Sequence, residues 1–282
     1  MVISSWPSSQ TASRSTETQQ ALQQLACLGN SADFVMLRTV YQDSSEEMHG
    51  RLWEAVRTGF VMCSDEASRF LHDRVQEAAY SLIPQELRAE AHLRIGMSMA
   101  SHTSPDKLEE GIFEIVNQLN RGAHLITPIA ERERIAQLNL IAGRRAKMST
   151  AYASALKYLH AGRRLLTEEA WDRNYSLVFA IEHLLAACEL LTADMTGSES
   201  RLSMLAGRAK TAHDTALVAH LRLTLYNLLG RGDRGRRYSS NTSEGTEKIG
   251  RPIPRMNRYC RNTNKSGRGW GRGKSASSLT YR

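Results

Sequence analysis

At 282 residues, with 41% apolar and 23% charged side chains, the chain has the length and balance of a globular protein of one or two domains with a sizeable core. No run of about 18 apolar residues occurs, and the opening MVISSWPSSQTASRSTETQQ has neither a basic start nor an apolar stretch, so neither a membrane span nor a secretory signal is expected and a cytoplasmic location is. The formal charge of +8 is concentrated in residues 230–282, where 14 Lys plus Arg face three Asp plus Glu, a local +11 that leaves −3 on the first 229 residues.

Residues 1–15 read as disordered, and from about residue 16 the pattern is helix after helix with one short exception. Residues 20–28 carry apolar side chains at helical spacing and stop at Gly29-Asn30. Ser31 or Asp33 then starts a short second helix through Phe34, Leu37 and Val40. Ser44-Ser-Glu-Glu47 fits a capping box, and Met48, Leu52, Ala55 and Val56 line one face of a third helix ending near Thr58-Gly59. The exception follows. Residues 60–63 and 68–71 are short strand-like runs joined by Ser64-Asp-Glu-Ala67, a hairpin. Three helices and a small β wing describe a winged-helix-like domain over residues 16–83.

From Asp73 helix resumes through Val75, Ala78, Ala79, Leu82 and Ile83. Pro84 forces a break or a new first turn, after which Leu87, Ala91, Ile95 and Met99 continue the stripe. Residues 84–229 read as paired helices with stripes at Leu108/Ile112/Ile115/Val116/Leu119, Ile135/Leu138/Ala142/Ala146 and Tyr152/Ala155/Leu156/Leu159. Gly143 and Ala155 mark a close approach of two antiparallel helices, as in a degenerate tetratricopeptide unit with a period of about 34 residues. Further helices are expected over 175–191 and 198–229. The fold class expected is therefore mainly α, a winged-helix-like domain with a small β hairpin followed by tetratricopeptide-like α-α repeats and a disordered, basic C-terminal tail over residues 230–282.

Four cysteines, Cys27, Cys63, Cys188 and Cys260, form no C-x-x-C pair, and free thiols are expected. Gly273-Lys274-Ser275 ends like a phosphate-binding loop, but the first glycine of that motif is replaced by Arg268 and no strand or helix flanks it. The pairs His72-Asp73 and His213-Asp214 would suit a metal-dependent phosphohydrolase, yet the other histidines share no helical spacing beyond His213 and His220, so no metal site is expected. In FLHDRVQEAAYSLIP, Asp73 reads as the N-cap of a helix. A nucleic-acid-binding winged helix is disfavoured, because residues 44–58 carry Glu46, Glu47 and Glu54 against Arg51 and Arg57.

Residues 21–33, Leu52-Trp-Glu-Ala-Val-Arg-Thr-Gly59, FLHDRVQEAAYSLIP, Phe113-Glu-Ile-Val-Asn-Gln-Leu-Asn-Arg-Gly122 and residues 138–147 together resemble the large bacterial signalling ATPases of the STAND class. In many of these a Ser/Thr kinase-like domain, an AAA-type ATPase, helical repeats, a GAF domain and a sensor histidine kinase share one polypeptide. The resemblance implies the end of the ATPase module, its winged helix and the start of the helical repeats. It also implies that Leu71-His72-Asp73 stands where such proteins carry a Met-His-Asp-like motif whose histidine approaches the β-phosphate of ADP and holds the closed state, making His72 and Asp73 the candidate nucleotide-sensing residues. No Walker loop, phosphoacceptor box or kinase catalytic loop is present, so the chain itself is expected to be non-catalytic and without cofactor, ATP or ADP belonging to the complete architecture. Its expected partners are the other domains of a multidomain kinase and a protein or effector on the concave side of the repeats. The change of composition at Gly230 suggests a reading-frame change near residues 231–235 or a gene fragment, which sequencing the locus for a helical continuation in another frame decides.

Overall fold

Helix α1 (Gln10–Leu28) starts inside the stretch expected to be disordered and ends at Gly29, whose φ of +132° suits a residue without a side chain. This computed structural model describes residues 10–33, 37, 45–64 and 67–230. The chain leaves α1 in extended form as β1 (Ser31–Asp33), so Ser31 does not open a helix, while Asp33 is the last residue of the strand, four positions before helical Leu37. The cause is tertiary. Phe70 N–H donates to the Asn30 carbonyl at 2.9 Å, three residue pairs join β1 to the neighbouring strand, and Ala32 is buried, so pairing overrides the local capping signal. Of the helix expected through Phe34, Leu37 and Val40, only Leu37 lies within the described residues, and it is helical and buried.

Helix α2 (Ser45–Arg57) stops before Gly59, again at positive φ, +73°. Strands β2 (Val61–Cys63) and β3 (Ala67–Phe70) form the expected hairpin with Val61 opposite Phe70 and Met62 opposite Arg69. The small sheet has the order β1-β3-β2 with both pairings antiparallel. Because side chains alternate across a strand, Val61 and Phe70 face inward while Met62 and Arg69 face out. With Leu22, Leu25, Leu52, Ala55 and Ala79 they make a first apolar core.

Helices α3 (Asp73–Ser81) and α4 (Gln85–His102) are separated at Pro84, which occupies the N-cap position of α4 and cannot donate into the preceding turn. The single turn α5 (Pro105–Leu108), α6 (Ile112–Gly122), a 3-10 turn (Ala123–Leu125), α7 (Ile129–Met148), α8 (Tyr152–Leu165), the single turn α9 (Ala170–Arg173), α10 (Tyr175–Leu191), α11 (Met195–Arg208) and α12 (Ala212–Leu228) follow. The architecture is thus mainly helical with one three-stranded sheet. A second, larger core runs from Ile83 to Leu225 and also takes in Cys27 of α1.

The longer helices after α3 pack as antiparallel pairs, α4 with α6, α7 with α8 and α10 with α11. At the first two crossings each helix contributes a glycine. A methyl group on Gly96 would sit 2.8 Å from Leu119 Cγ, on Gly122 2.7 Å from Leu93 Cβ, on Gly143 2.6 Å from Leu159 Cγ and on Gly162 3.0 Å from Asn139 Cβ. The close approach expected at Gly143 and Ala155 is made with Gly143 against Leu159, one turn beyond the buried Ala155. The pairs begin at Gln85, Ile129 and Tyr175, spacings of 44 and 46 residues, longer than the expected period of about 34. The reason is the length of the leading helices, 18, 20 and 17 residues. Helix α10 is apolar nearly all round because α7, α8, α9, α11 and α12 enclose it. Inside that enclosure Arg201 of α11 and Arg163 of α8 pair with Glu182 and Glu189 of α10. The start of α12 is fixed by a capping box between Thr211 and Asp214.

Candidate functional site

The two residues singled out from sequence, His72 and Asp73, stand at the junction of the small sheet and α3. Leu71 N–H donates to the Phe60 carbonyl at 3.0 Å and closes the hairpin, and the His72 carbonyl accepts from Val75 N–H at 2.9 Å to open the helix. His72, not Asp73, holds the N-cap position, and its side chain makes no cap hydrogen bond; this corrects the capping expectation for Asp73. Asp73 falls in the first turn instead, where its carboxylate meets the positive end of the helix dipole. Both side chains are exposed. Of the second His-Asp pair, Asp214 is committed to the capping box and accepts from Tyr175 Oη at 3.0 Å, while His213 is exposed. Among the described residues no three His, Cys, Asp or Glu side chains gather as metal ligands, and no helix is long and apolar enough to cross a membrane.

A polar cluster that the sequence did not disclose lies between the two cores. Helix α1 ends with carbonyls that lack intrahelical partners, and two glutamines from distant helices supply them. Gln76 of α3 donates to the Ala26 carbonyl at 3.1 Å, and buried Gln118 of α6 donates to the Cys27 carbonyl at 2.9 Å. Since the Gln118 amide nitrogen is committed there, its oxygen faces His92 Nδ1 at 2.6 Å, and Nδ1 must carry the proton. His92 Nε2 is then the acceptor for Tyr80 Oη at 3.0 Å and for the Arg121 guanidinium at 3.2 Å. Tyr80 is covered in turn by Arg88 at 4.8 Å from its ring centre. One chain of hydrogen bonds thus links α1, α3, α4 and α6 with His92 only 2% exposed. The sequence signal was an imidazole on the apolar stripe of α4, three and seven residues before Ile95 and Met99.

Burial holds the His92 pKa below its ordinary 6.5; the Gln118 hydrogen bond opposes this and the Arg121 charge reinforces it. His183, stacked on Phe179, is lowered by burial as well. A native state with a depressed histidine pKa binds fewer protons than the unfolded chain. The stability is therefore fully present above pH 6.5 and is lost as pH falls from that value toward the native pKa. Thermal unfolding between pH 7 and 5 should steepen by up to about 1.4 kcal/mol per pH unit for each such histidine. The variant His92→Gln should show a shallower slope; a slope equal to that of the parent would contradict this origin.

Cys27, Cys63 and Cys188 are free thiols. Burial pushes Cys27 up to about 11 and raises Cys188 also, so neither supplies a thiolate nucleophile at neutral pH. Cys260, the Gly273-Lys274-Ser275 stretch and the basic tail lie outside the described residues.

No protein-family model and no solved structure matches the chain. Among curated proteins it is similar to Hybrid signal transduction histidine kinase G of Dictyostelium discoideum, with 24% identity over 279 aligned positions that cover 77% of this chain and 8% of that protein. The chain therefore spans less than a tenth of the relative it matches, and the likeness is to a signal-transduction protein.

Proposed function

We propose that this chain is a non-catalytic regulatory segment of a multidomain signalling kinase, coupling a nucleotide module to a helical interaction scaffold. The observation that carries the reading is the buried seam. Gln118 of α6 donates to the Cys27 carbonyl at the end of α1 and Tyr80 of α3 bonds to His92 of α4, so hydrogen bonds tie the sheet-containing unit to the helix pairs across their boundary. The likeness to a signal-transduction histidine kinase supports the setting, and the small share of that protein supports a part rather than the whole. The element order α1-β1-α2-β2-β3, with β1 and β2 flanking β3, supports a winged-helix-like unit of the STAND type.

In this reading the imidazole of His72, exposed at the helix start beside Asp73, is the group offered to the β-phosphate of ADP held by a neighbouring ATPase domain. ATP and ADP are that domain's ligands, and the chain itself carries no cofactor. The antiparallel pairs act as a repeat scaffold for a protein or effector. The purified chain should neither hydrolyse ATP in the presence of magnesium nor acquire phosphate from it. Turnover that disappears on replacing one side chain of this chain would sink the reading.

A further inference from the structure

Between the sheet-containing unit and the helix pairs lies an open cleft of about 1030 Å³. The polar groups of its floor are already committed, since the amide nitrogens of Gln76 and Gln118 donate to the carbonyls at the end of α1. The walls differ. Helix α8 presents Lys157, Ala161 and Arg164 at positions i, i+4 and i+7, so two cations line the cleft on one stripe with a small residue between them. Helix α6 presents Glu114, Asn117 and Arg121 to the same space. Among the described residues neither Lys157 nor Arg164 makes a hydrogen bond or ion pair, in contrast to Arg163, Arg173, Arg201 and Arg208, each of which holds a glutamate. Three cations against the single carboxylate of Glu114 give the cleft a local charge of +2 on a body that carries −3 over its first 229 residues.

We infer that this cleft is a binding site for a small organic or inorganic anion bearing two or more negative charges. A concave wall with uncompensated cations concentrates anions, and Lys157, Arg164 and the free donors of Arg121 supply charge-assisted hydrogen bonds from two helices. The volume suits a ligand larger than one phosphate or carboxylate group. The chain's own segment 230–282 is excluded as occupant by its charge of +11. The inference stands on the cleft alone and does not depend on the kinase reading. Because phosphate and carboxylate groups share this chemistry, the test uses one probe of each kind, tripolyphosphate and citrate.

The full chain is acetylated with a lysine-directed reagent at fixed ionic strength, with either anion or sodium chloride, and labelling is read peptide by peptide. The site predicts that at least one of the two anions slows Lys157 labelling about fivefold or more while Lys107, which does not line the cleft, is unaffected. The protecting anion then identifies the phosphate or the carboxylate class. Arg164→Gln, an exposed change that leaves the core untouched, should raise the anion concentration needed by about tenfold. Protection confined to the lysines at 248, 265 and 274, equal Lys157 labelling in all three salts, or undiminished protection in Arg164→Gln overturns the proposal.

Discussion

Replacing Arg201 with Met should destabilise the protein by about 3–5 kcal/mol, the usual cost of removing one partner from a buried ion pair. Arg201 is the hub between two carboxylates on α10. Its Nη2 donates to Glu189 Oε1 at 2.7 Å and its Nη1 donates to Glu182 Oε2, while these glutamates are only 7% and 4% exposed at their side chains. Burial tends to lower the Arg201 pKa, but hydrogen bonds and the charges of Glu189 and Glu182 outweigh it, so the guanidinium is held more firmly charged than usual. Without it, Glu182 keeps Arg163 as a partner at 2.6 Å, whereas Glu189 keeps none of its three Arg201 hydrogen bonds. The glutamate must then be buried charged or take up a proton. Arg208→Met removes an ion pair to Glu168 that is exposed on both sides and should change stability by no more than about 1 kcal/mol. Urea unfolding of the two variants checks the contrast; equal losses would mean that water reaches the α10–α11 pairs freely.

Gln118→Leu should cost about 2–4 kcal/mol, because it leaves two buried groups without partners. The Cys27 carbonyl loses its donor at the end of α1, and the Nδ1–H of His92 loses its acceptor. The added apolar surface of leucine offsets only part of this, since both stranded groups remain fixed in place. Asn117→Leu, one position earlier but exposed, removes a 3.3 Å contact with Tyr158 Oη and should fall within about 1 kcal/mol of the parent. The two glutamine contacts to α1 have different ranks in this account. Gln118 is buried whereas Gln76 is half-buried, so Gln76→Leu should lie between the two variants.

Most helices were legible because their apolar residues recur at helical spacing, and Tyr175–Leu191 has the bounds that its pattern predicts. The hairpin was legible from two short β-prone runs with a polar turn between them. The strand Ser31–Asp33 was not, because three small or polar residues carry no strand periodicity and their conformation is set by pairing with β3 across a long loop. Local capping signals at Ser31 and Asp73 were misleading for the same reason, as the sheet fixes the chain beside each of them. His72 and Asp73 were visible as a motif, but their exposure and free side chains follow only from the fold. The seam was invisible because its members, Tyr80, His92, Gln118, Arg121 and the end of α1, are ordinary residues on separate helices. A lone histidine on an apolar stripe was its one trace.

The seam is also where the proposed coupling is most exposed to test. Native-state hydrogen exchange of the Phe70 amide, bonded to the Asn30 carbonyl in the sheet-containing unit, and of the Leu119 amide within α6 reports each side separately. In the parent chain both amides should exchange through openings of the same free energy, and in Gln118→Leu their opening constants should separate by tenfold or more. Openings already separate in the parent, or still matched in the variant, would contradict the proposal that this buried hydrogen-bond chain couples the two units.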